Sequence, residues 1–386
     1  MHKLLFIIPT LKTGGTNSSL SALYTYLKNS YDIKVFSLSN QRNAHFSFDE
    51  AIIKTPYLFS AFHEKIDDAK LIKKPLLFFL KTIRSVIKKI FLYDILDFFY
   101  SYKSKQIERT SNYSFIIAFE ESYPTKFVSL FGNKNKIAWI HCNYNMYCPK
   151  GCSEENIYES FSHIICVSKY TSSLFSSRYP NLANRVDYIY NFINADFIES
   201  QSKLILNDSS FKTEDVYVLI SAGRVDPVKR FSCIPQIANC LIHKGLKFKW
   251  YIIGPISVQA EYEKLMLNIQ RYGVHEYVFY LGNKSNPYFY FAHSDLYICT
   301  SESEACPMVF NEAILLRTPV VTADFGSASE FITNGKNGYV CSLNNMADVI
   351  YGLLEDSGKL SLIKNGMNSV KDINLNIITK LNDLLS

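Results

Sequence analysis

Two carboxylates carry the strongest chemical signal in this chain. Glu304 and Glu312 stand in Ser301-Glu-Ser-Glu-Ala-Cys-Pro-Met-Val-Phe-Asn-Glu-Ala313, with seven residues between them. The apolar run 295–299 before them reads as a buried strand. Pro307 favours a helix start, because the N–H it lacks is one the first turn leaves unpaired. Glu304 then falls on the loop before the helix, and Glu312 about a turn and a half inside it. The N–H groups of Met308 and Val309 face out of the helix N-terminus, where phosphate is favoured. One carboxylate beside an anion site and another along the helix suit a ligand with a diphosphate flanked by hydroxyls, such as a nucleotide-sugar. The pair also reads as two solvated glutamates flanking a core helix, so its company elsewhere in the chain decides.

That company is basic, glycine-rich and placed after strands. In Ile220-Ser-Ala-Gly-Arg-Val-Asp-Pro-Val-Lys-Arg230, Gly223 permits a tight exit from a strand. Arg224 and Lys229 can converge on a diphosphate, the arginine by its fork and the lysine as a point charge. The alternative is a solvated basic loop with Lys229 and Arg230 on the surface. Lys136-Ile-Ala-Trp-Ile-His141 places a histidine at a strand end, where it could contact a reacting sugar or be satisfied by backbone. Thr10-Leu-Lys-Thr-Gly-Gly-Thr-Asn17 follows the first strand; its glycines, Gly14 and Gly15, let backbone approach a ligand in front of a helix. This is not GxGxxG, which argues against an NAD enzyme. Gly326 and Glu330 follow a later strand, and 334–338 reads as a plain turn.

These loops need strands to hold them. Short apolar runs at 4–9, 33–38, 115–119, 137–140, 164–167 and 186–190 are strand candidates in the first half. The second half supplies 216–222, 248–253, 278–281, 296–299 and 320–322. Helical patterns intervene, for example at 18–28, 168–177, 231–244 and 258–272, with a final helix near the C-terminus. Alternation of buried strands and helices predicts an α/β fold with parallel sheets covered on both faces. It pauses in the polar stretch 196–215, which reads as a linker between Rossmann-like domains at 1–195 and 216–386. Ligands in such sheets bind beyond the carboxyl ends of the strands.

Residues 70–106 interleave Lys70, Lys73, Lys74, Lys81, Arg84, Lys88 and Lys89 with apolar side chains. They read either as a basic amphipathic helix on an anionic membrane or as a helix packed on the first domain with a solvated lysine face. The chain has 386 residues, a net charge of +6 and a globular composition; that charge is too weak and diffuse to argue for nucleic acid. Nine cysteines show no disulfide framework, and reduced thiols suit the cytosol. His141, Cys142, Cys148 and Cys152 match no zinc spacing, and no carboxylate cluster of metal-binding type appears, so no metal is expected. No run approaches the roughly eighteen apolar residues of a membrane span. The first nine residues read as a strand rather than a signal peptide.

Gly223-Arg224 with Lys229 close behind, the Gly282-Asn283 loop and Glu304-x7-Glu312 occur in the order found in the retaining glycosyltransferases of family 4. The chain resembles that family over nearly its whole length, most strongly from Val218 to Val340. It departs at Ala305-Cys306, Gly326-Ser327 and Asn191-Phe192. The resemblance implies a GT-B fold, with two Rossmann-like domains facing each other across a cleft, the first on the acceptor side and the second binding the nucleotide-sugar. It implies that Arg224 and Lys229 bind the donor diphosphate, that Glu312 hydrogen-bonds the ribose, and that Glu304 contacts the transferred sugar near its anomeric centre. Met308 and Val309 then offer amides to phosphate or sugar. Gly15 lies over the diphosphate, His141 stands near the donor sugar, and Asn283 and Lys284 sit where the base is held. The function implied is transfer from a nucleotide diphosphate-sugar, a UDP-sugar first among candidates, with no cofactor besides this donor. The acceptor is a glycan or lipid-linked glycan of bacterial surface polysaccharide, such as capsule, O-antigen or lipopolysaccharide. The location implied is cytoplasmic, with peripheral contact at the inner face of the plasma membrane. A nucleotide-sugar epimerase and a non-catalytic glycan-binding protein are the rival readings.

Overall fold

The computed structural model describes residues 2–64, 66, 73–91, 94–148, 154–206, 208–211, 214–367 and 371–385. Lys70 and Cys152 lie outside them. The chain divides into two compact units, Met1–Phe192 with Lys380–Ser386, and Ile193–Thr379.

The first unit is built on seven strands. They are β1 (Lys3–Ile8), β2 (Asp32–Ser37), β3 (Ile52–Ile53), β4 (Phe115–Ala118), β5 (Lys136–Ile140), β6 (His163–Cys166) and β7 (Val186–Tyr188). Their order is β3-β2-β1-β4-β5-β6-β7, and every pair is parallel. The second unit carries β8 (Tyr217–Ala222), β9 (Phe248–Ile253), β10 (Val278–Gly282), β11 (Leu296–Cys299), β12 (Val320–Ala323) and β13 (Gly338–Cys341). Their order is β10-β9-β8-β11-β12-β13, again all parallel. The order reverses direction between β1 and β4 in the first sheet and between β8 and β11 in the second, the points where open α/β sheets bind ligands. The fold class expected from the alternation is therefore the one observed.

Burial on both faces explains the continuous apolar runs. Val218, Leu219 and Ile220 of β8 and all of β11 are buried. A polar exception, Ser221, is fully satisfied: its hydroxyl donates to the Ile298 carbonyl at 2.7 Å and accepts from the Trp250 indole at 3.0 Å. Paired polar groups of this kind avoid the desolvation penalty of a lone one.

Several expectations need adjustment. The stretch 196–215 lies in the second unit and opens with the helix Ala195–Ser202, whose start is capped by Asn194 accepting from the Phe197 amide. The last helix, Lys371–Leu385, begins in the second unit and ends in the first. Residues 70–106 give two helices, Lys74–Phe91 and Ile95–Thr110, the second capped by Asp94. The turn at 334–338 runs directly into β13, an edge strand the sequence reading lacks, as it lacks β3. Gly338 is required there: a Cβ would lie 1.9 Å from the Val320 carbonyl oxygen. Among the described residues no helix is long and apolar enough to cross a membrane.

Candidate functional site

Because β8 and β11 are neighbours, the loops leaving their carboxyl ends must meet. The loop after β8 holds Gly223, Arg224 and the short 3-10 turn Pro227–Lys229, capped by the Asp226 carboxylate accepting from the Lys229 amide at 3.1 Å. The loop after β11 holds Ser301 and Glu304. Lys229 Nζ donates to Glu304 Oε1 at 2.5 Å, and Ser301 Oγ donates to the same oxygen at 2.6 Å. Residues 75 positions apart in the chain thus form one ionic cluster.

Gly223 makes room for that cluster. Its φ of 149° lies in the region open to glycine, and a Cβ would stand 2.9 Å from Lys229 Cε. The lysine stem therefore lies across the bare glycine, with 14% of its side chain exposed. Burial alone would lower the Lys229 pKa, but the Glu304 charge and hydrogen bond outweigh it and the net shift is upward. Lys229 is a fixed cation at neutral pH.

The sequence suggests a surface place for Arg230; the structure gives it a different one. It sits at a left-handed φ of 49°, and its guanidinium donates to the Thr300 and Ser301 carbonyls at 2.9 and 2.7 Å. The Thr300 hydroxyl returns a bond to the Lys229 carbonyl at 2.7 Å. These bonds stitch the two loops together. Ser327, after β12, donates to the Glu304 carbonyl at 2.7 Å and holds the carboxylate's backbone from a third loop. Ser301, Ser327 and Arg230 were missed as site residues because nothing in their local spacing marks them; only the strand order brings them in. Arg224 stands apart from this knot, largely exposed and 3.4 Å from Asp226.

Glu312 lies on the helix Met308–Leu315, which follows Pro307 as expected. Burial pushes its carboxyl up to about 7. The amides of Met308 and Val309 fall in the first turn, where no intrahelical partner exists for them. Asn283 and Lys284 follow β10 past Gly282, whose φ is 73°. The Lys284 ammonium is taken up by Asp208 at 2.7 Å, which Tyr290 also contacts at 2.6 Å. Its charge thus braces the loop.

His141 and Gly15 belong to the first unit. His141 follows β5; its backbone N–H donates to Glu121 Oε2 at 2.9 Å, and its ring packs on Phe119 with centroids 4.7 Å apart. Burial drives the imidazole down to about 3, so it is neutral at physiological pH. Its Nε2 is buried without a partner among the described residues. Glu121, in the loop three residues past the neighbouring β4, is the missed residue here; burial raises its pKa. Gly15 opens the helix Gly15–Leu27, and the loop before it is pinned by Asn17 Nδ2 donating to the Thr10 and Lys12 carbonyls, both at 2.8 Å. Among the described residues no group of three His, Cys, Asp or Glu side chains is placed to hold a metal.

The chain is similar to known proteins in sequence and in fold. Residues 203–366 match the family Glycosyl transferases group 1. The matched stretch contains Arg224, Lys229, Glu304 and Glu312. Poly(ribitol-phosphate) alpha-N-acetylglucosaminyltransferase of Staphylococcus aureus is 27% identical over 243 residues, covering 61% of this chain and 47% of that protein. N-acetyl-alpha-D-glucosaminyl L-malate synthase of Bacillus anthracis is 25% identical over 174 residues, covering 44% and 45%. The chain spans about half the length of these curated relatives. The crystal structure of Anabaena HepE in complex with UDP and glucose superposes with a TM-score of 0.71, covering 99% of this chain and 100% of that one at 18% identity. The fold is that of GT-B glycosyltransferases.

Proposed function

We propose that the chain is a retaining glycosyltransferase that moves a sugar from a nucleotide diphosphate-sugar, with a UDP-sugar as first candidate, to a hydroxyl of a glycan or lipid-linked glycan. The observation that carries this reading is the Lys229–Glu304–Ser301 cluster at the adjoining ends of β8 and β11, beside the first turn of the helix that bears Glu312. The relatives' names, with UDP bound in the HepE structure, support a donor of this class. A role in bacterial surface polysaccharide synthesis fits the name of the Staphylococcus aureus relative. A cytoplasmic location is part of the same reading.

In this reading the bond from the sugar's anomeric carbon to the diphosphate oxygen breaks, and its electron pair leaves on the diphosphate. Lys229, Arg224 and the Met308 and Val309 amides stabilise that negative charge, and no metal is required in this role. The acceptor oxygen bonds to the anomeric carbon on the face just vacated, and its proton passes to the departing phosphate oxygen. Glu304 orients the sugar hydroxyls and offsets positive charge on the ring, while its contact fixes Lys229. Glu312 binds the ribose hydroxyls, and the Asn283–Lys284 loop meets the base. The neutral His141 can exchange hydrogen bonds with the sugar but has no proton to donate as an acid at neutral pH. Gly15 presents backbone to the diphosphate.

The test is a thermal-shift screen against UDP-, GDP- and ADP-sugars, followed by proton NMR of the product linkage. A ligand that binds only the folded state raises its melting point. A shift with one donor class and a product of retained configuration support the reading. No shift with any donor, or inversion, contradicts it.

A further inference from the structure

The stretch that precedes β8 is tied to the loop that follows β10. The Gly254 amide donates to the Gly282 carbonyl at 2.9 Å and fixes where that loop leaves the sheet. Further on, Asn286 is buried; its Nδ2 donates to the Gln201 carbonyl at 2.8 Å, and its Oδ1 accepts from the Tyr288 amide at 3.2 Å. Gln201 lies in the helix Ala195–Ser202, so the far end of the loop hangs on the stretch before β8. Between these two anchors, Lys284 reaches Asp208 in the same stretch.

Asp208 gathers donors from three directions. Its Oδ2 accepts from Lys284 Nζ at 2.7 Å and from the Tyr290 hydroxyl at 2.6 Å. Its Oδ1 accepts from the Ser210 amide at 3.0 Å and from the Ser210 hydroxyl. These bonds, that of Lys284 foremost, hold the Asp208 carboxyl well below the usual carboxylate range. The Lys284 ammonium also lies 5.6 Å from the centroid of the Tyr290 ring.

The charge pair is not what keeps this stretch in place. Phe211 anchors it, with ring centroids 4.7 Å from Tyr251 and 5.0 Å from Tyr290, and Leu206 packs on the same core. An ion pair still within reach of water adds little to folding. What the pair does fix is the middle of the loop, at Asn283 and Lys284, and a binding loop keeps its shape through supporting contacts of this kind. The geometry points to Asp208 as a positioning residue for the nucleotide: through Lys284 it holds the loop that meets the base, and so sets which base is accepted. The inference rests on the donor-site reading, which places the base at this loop, and adds to it a residue 76 positions away in the chain.

The experiment is calorimetric titration of UDP, ADP and GDP into the full chain, into Asp208→Asn and into Lys284→Met. The parent should prefer one base. In each variant the affinity for that nucleotide should fall by about tenfold, while the other two change by less than about threefold, because the grip on the diphosphate is intact. The double variant should bind no more weakly than either single one, as expected of two residues that act through one contact. Melting curves should stay near the parent's, and Lys284→Met decides the matter if Asp208→Asn folds poorly. Equal weakening of all three nucleotides, unchanged affinities, additive single effects or a parent without base preference overturns the proposal and leaves the donor site standing. A parent that binds none of the three removes the donor-site reading itself, and this inference with it.

Discussion

Lys229 and Glu304 form a pair that neither residue would keep so little exposed alone, because an unmatched charge removed from water is strongly disfavoured. Their contact serves both stability and the proposed chemistry. Glu304→Gln keeps the shape and a Ser301 partner but removes the charge that holds the Lys229 pKa up. Transfer should fall by about 10²- to 10³-fold with little change in fold, as when one transition-state contact is removed; near-normal turnover in a steady-state assay would contradict the role given to Glu304. Glu312 makes a separate prediction through pH. Its pKa is raised from 4.5 to about 7, so the folded state holds the proton more tightly than the unfolded chain. Its favourable contribution is fully present below 4.5 and is lost as pH rises through 7. Glu312→Gln should therefore melt higher than the parent at pH 8, and this advantage should vanish toward pH 4.5. The parent's nucleotide affinity should rise as pH passes upward through 7 and the carboxylate forms, and the glutamine variant should lose that pH dependence. Melting curves and titrations across the range read both effects.

At the scale of elements, the site is a consequence of strand order. Most strands and their parallel pairing were legible, because a run such as Leu296–Cys299 is apolar and buried throughout and flanked by helical patterns. Strand β13 was not, because Gly338-Tyr-Val-Cys341 is short, lies at the sheet edge and begins with a glycine that resembles a turn. Lys229 and Glu304 were visible as candidates, but their mutual contact was not, since it depends on β8 lying next to β11. Arg230 illustrates the same limit: its sequence suggests a solvated cation, and only the fold turns it onto the Thr300 and Ser301 carbonyls. Gly223 tests the loop geometry. Gly223→Ala adds a Cβ at a strained φ and 2.9 Å from the Lys229 stem. It should cost about 1–3 kcal/mol of stability and displace the lysine, so denaturant unfolding and nucleotide titration should both register the change. Loss of neither would mean that the lysine does not depend on the bare glycine.

Across the whole molecule, the two units carry different parts of the proposed reaction. The ionic cluster, the Glu312 helix and the Asn283–Lys284 loop all belong to Ile193–Thr379, while the neutral His141, its Glu121 brace and the Gly15 loop belong to the first unit. Nucleotide alone should therefore slow amide hydrogen exchange at 223–230, 282–284 and 300–312 more than anywhere in the first unit. Protection concentrated in the first unit instead would reverse the assignment. The central claim is that the second unit grips a diphosphate through Lys229. Calorimetric titration of UDP into the parent and into Lys229→Ala tests it most directly. The account predicts a dissociation constant at least about tenfold weaker in the folded variant, in line with the loss of a charge-assisted contact. Equal affinity in the two proteins, or no UDP binding by the parent, would contradict it.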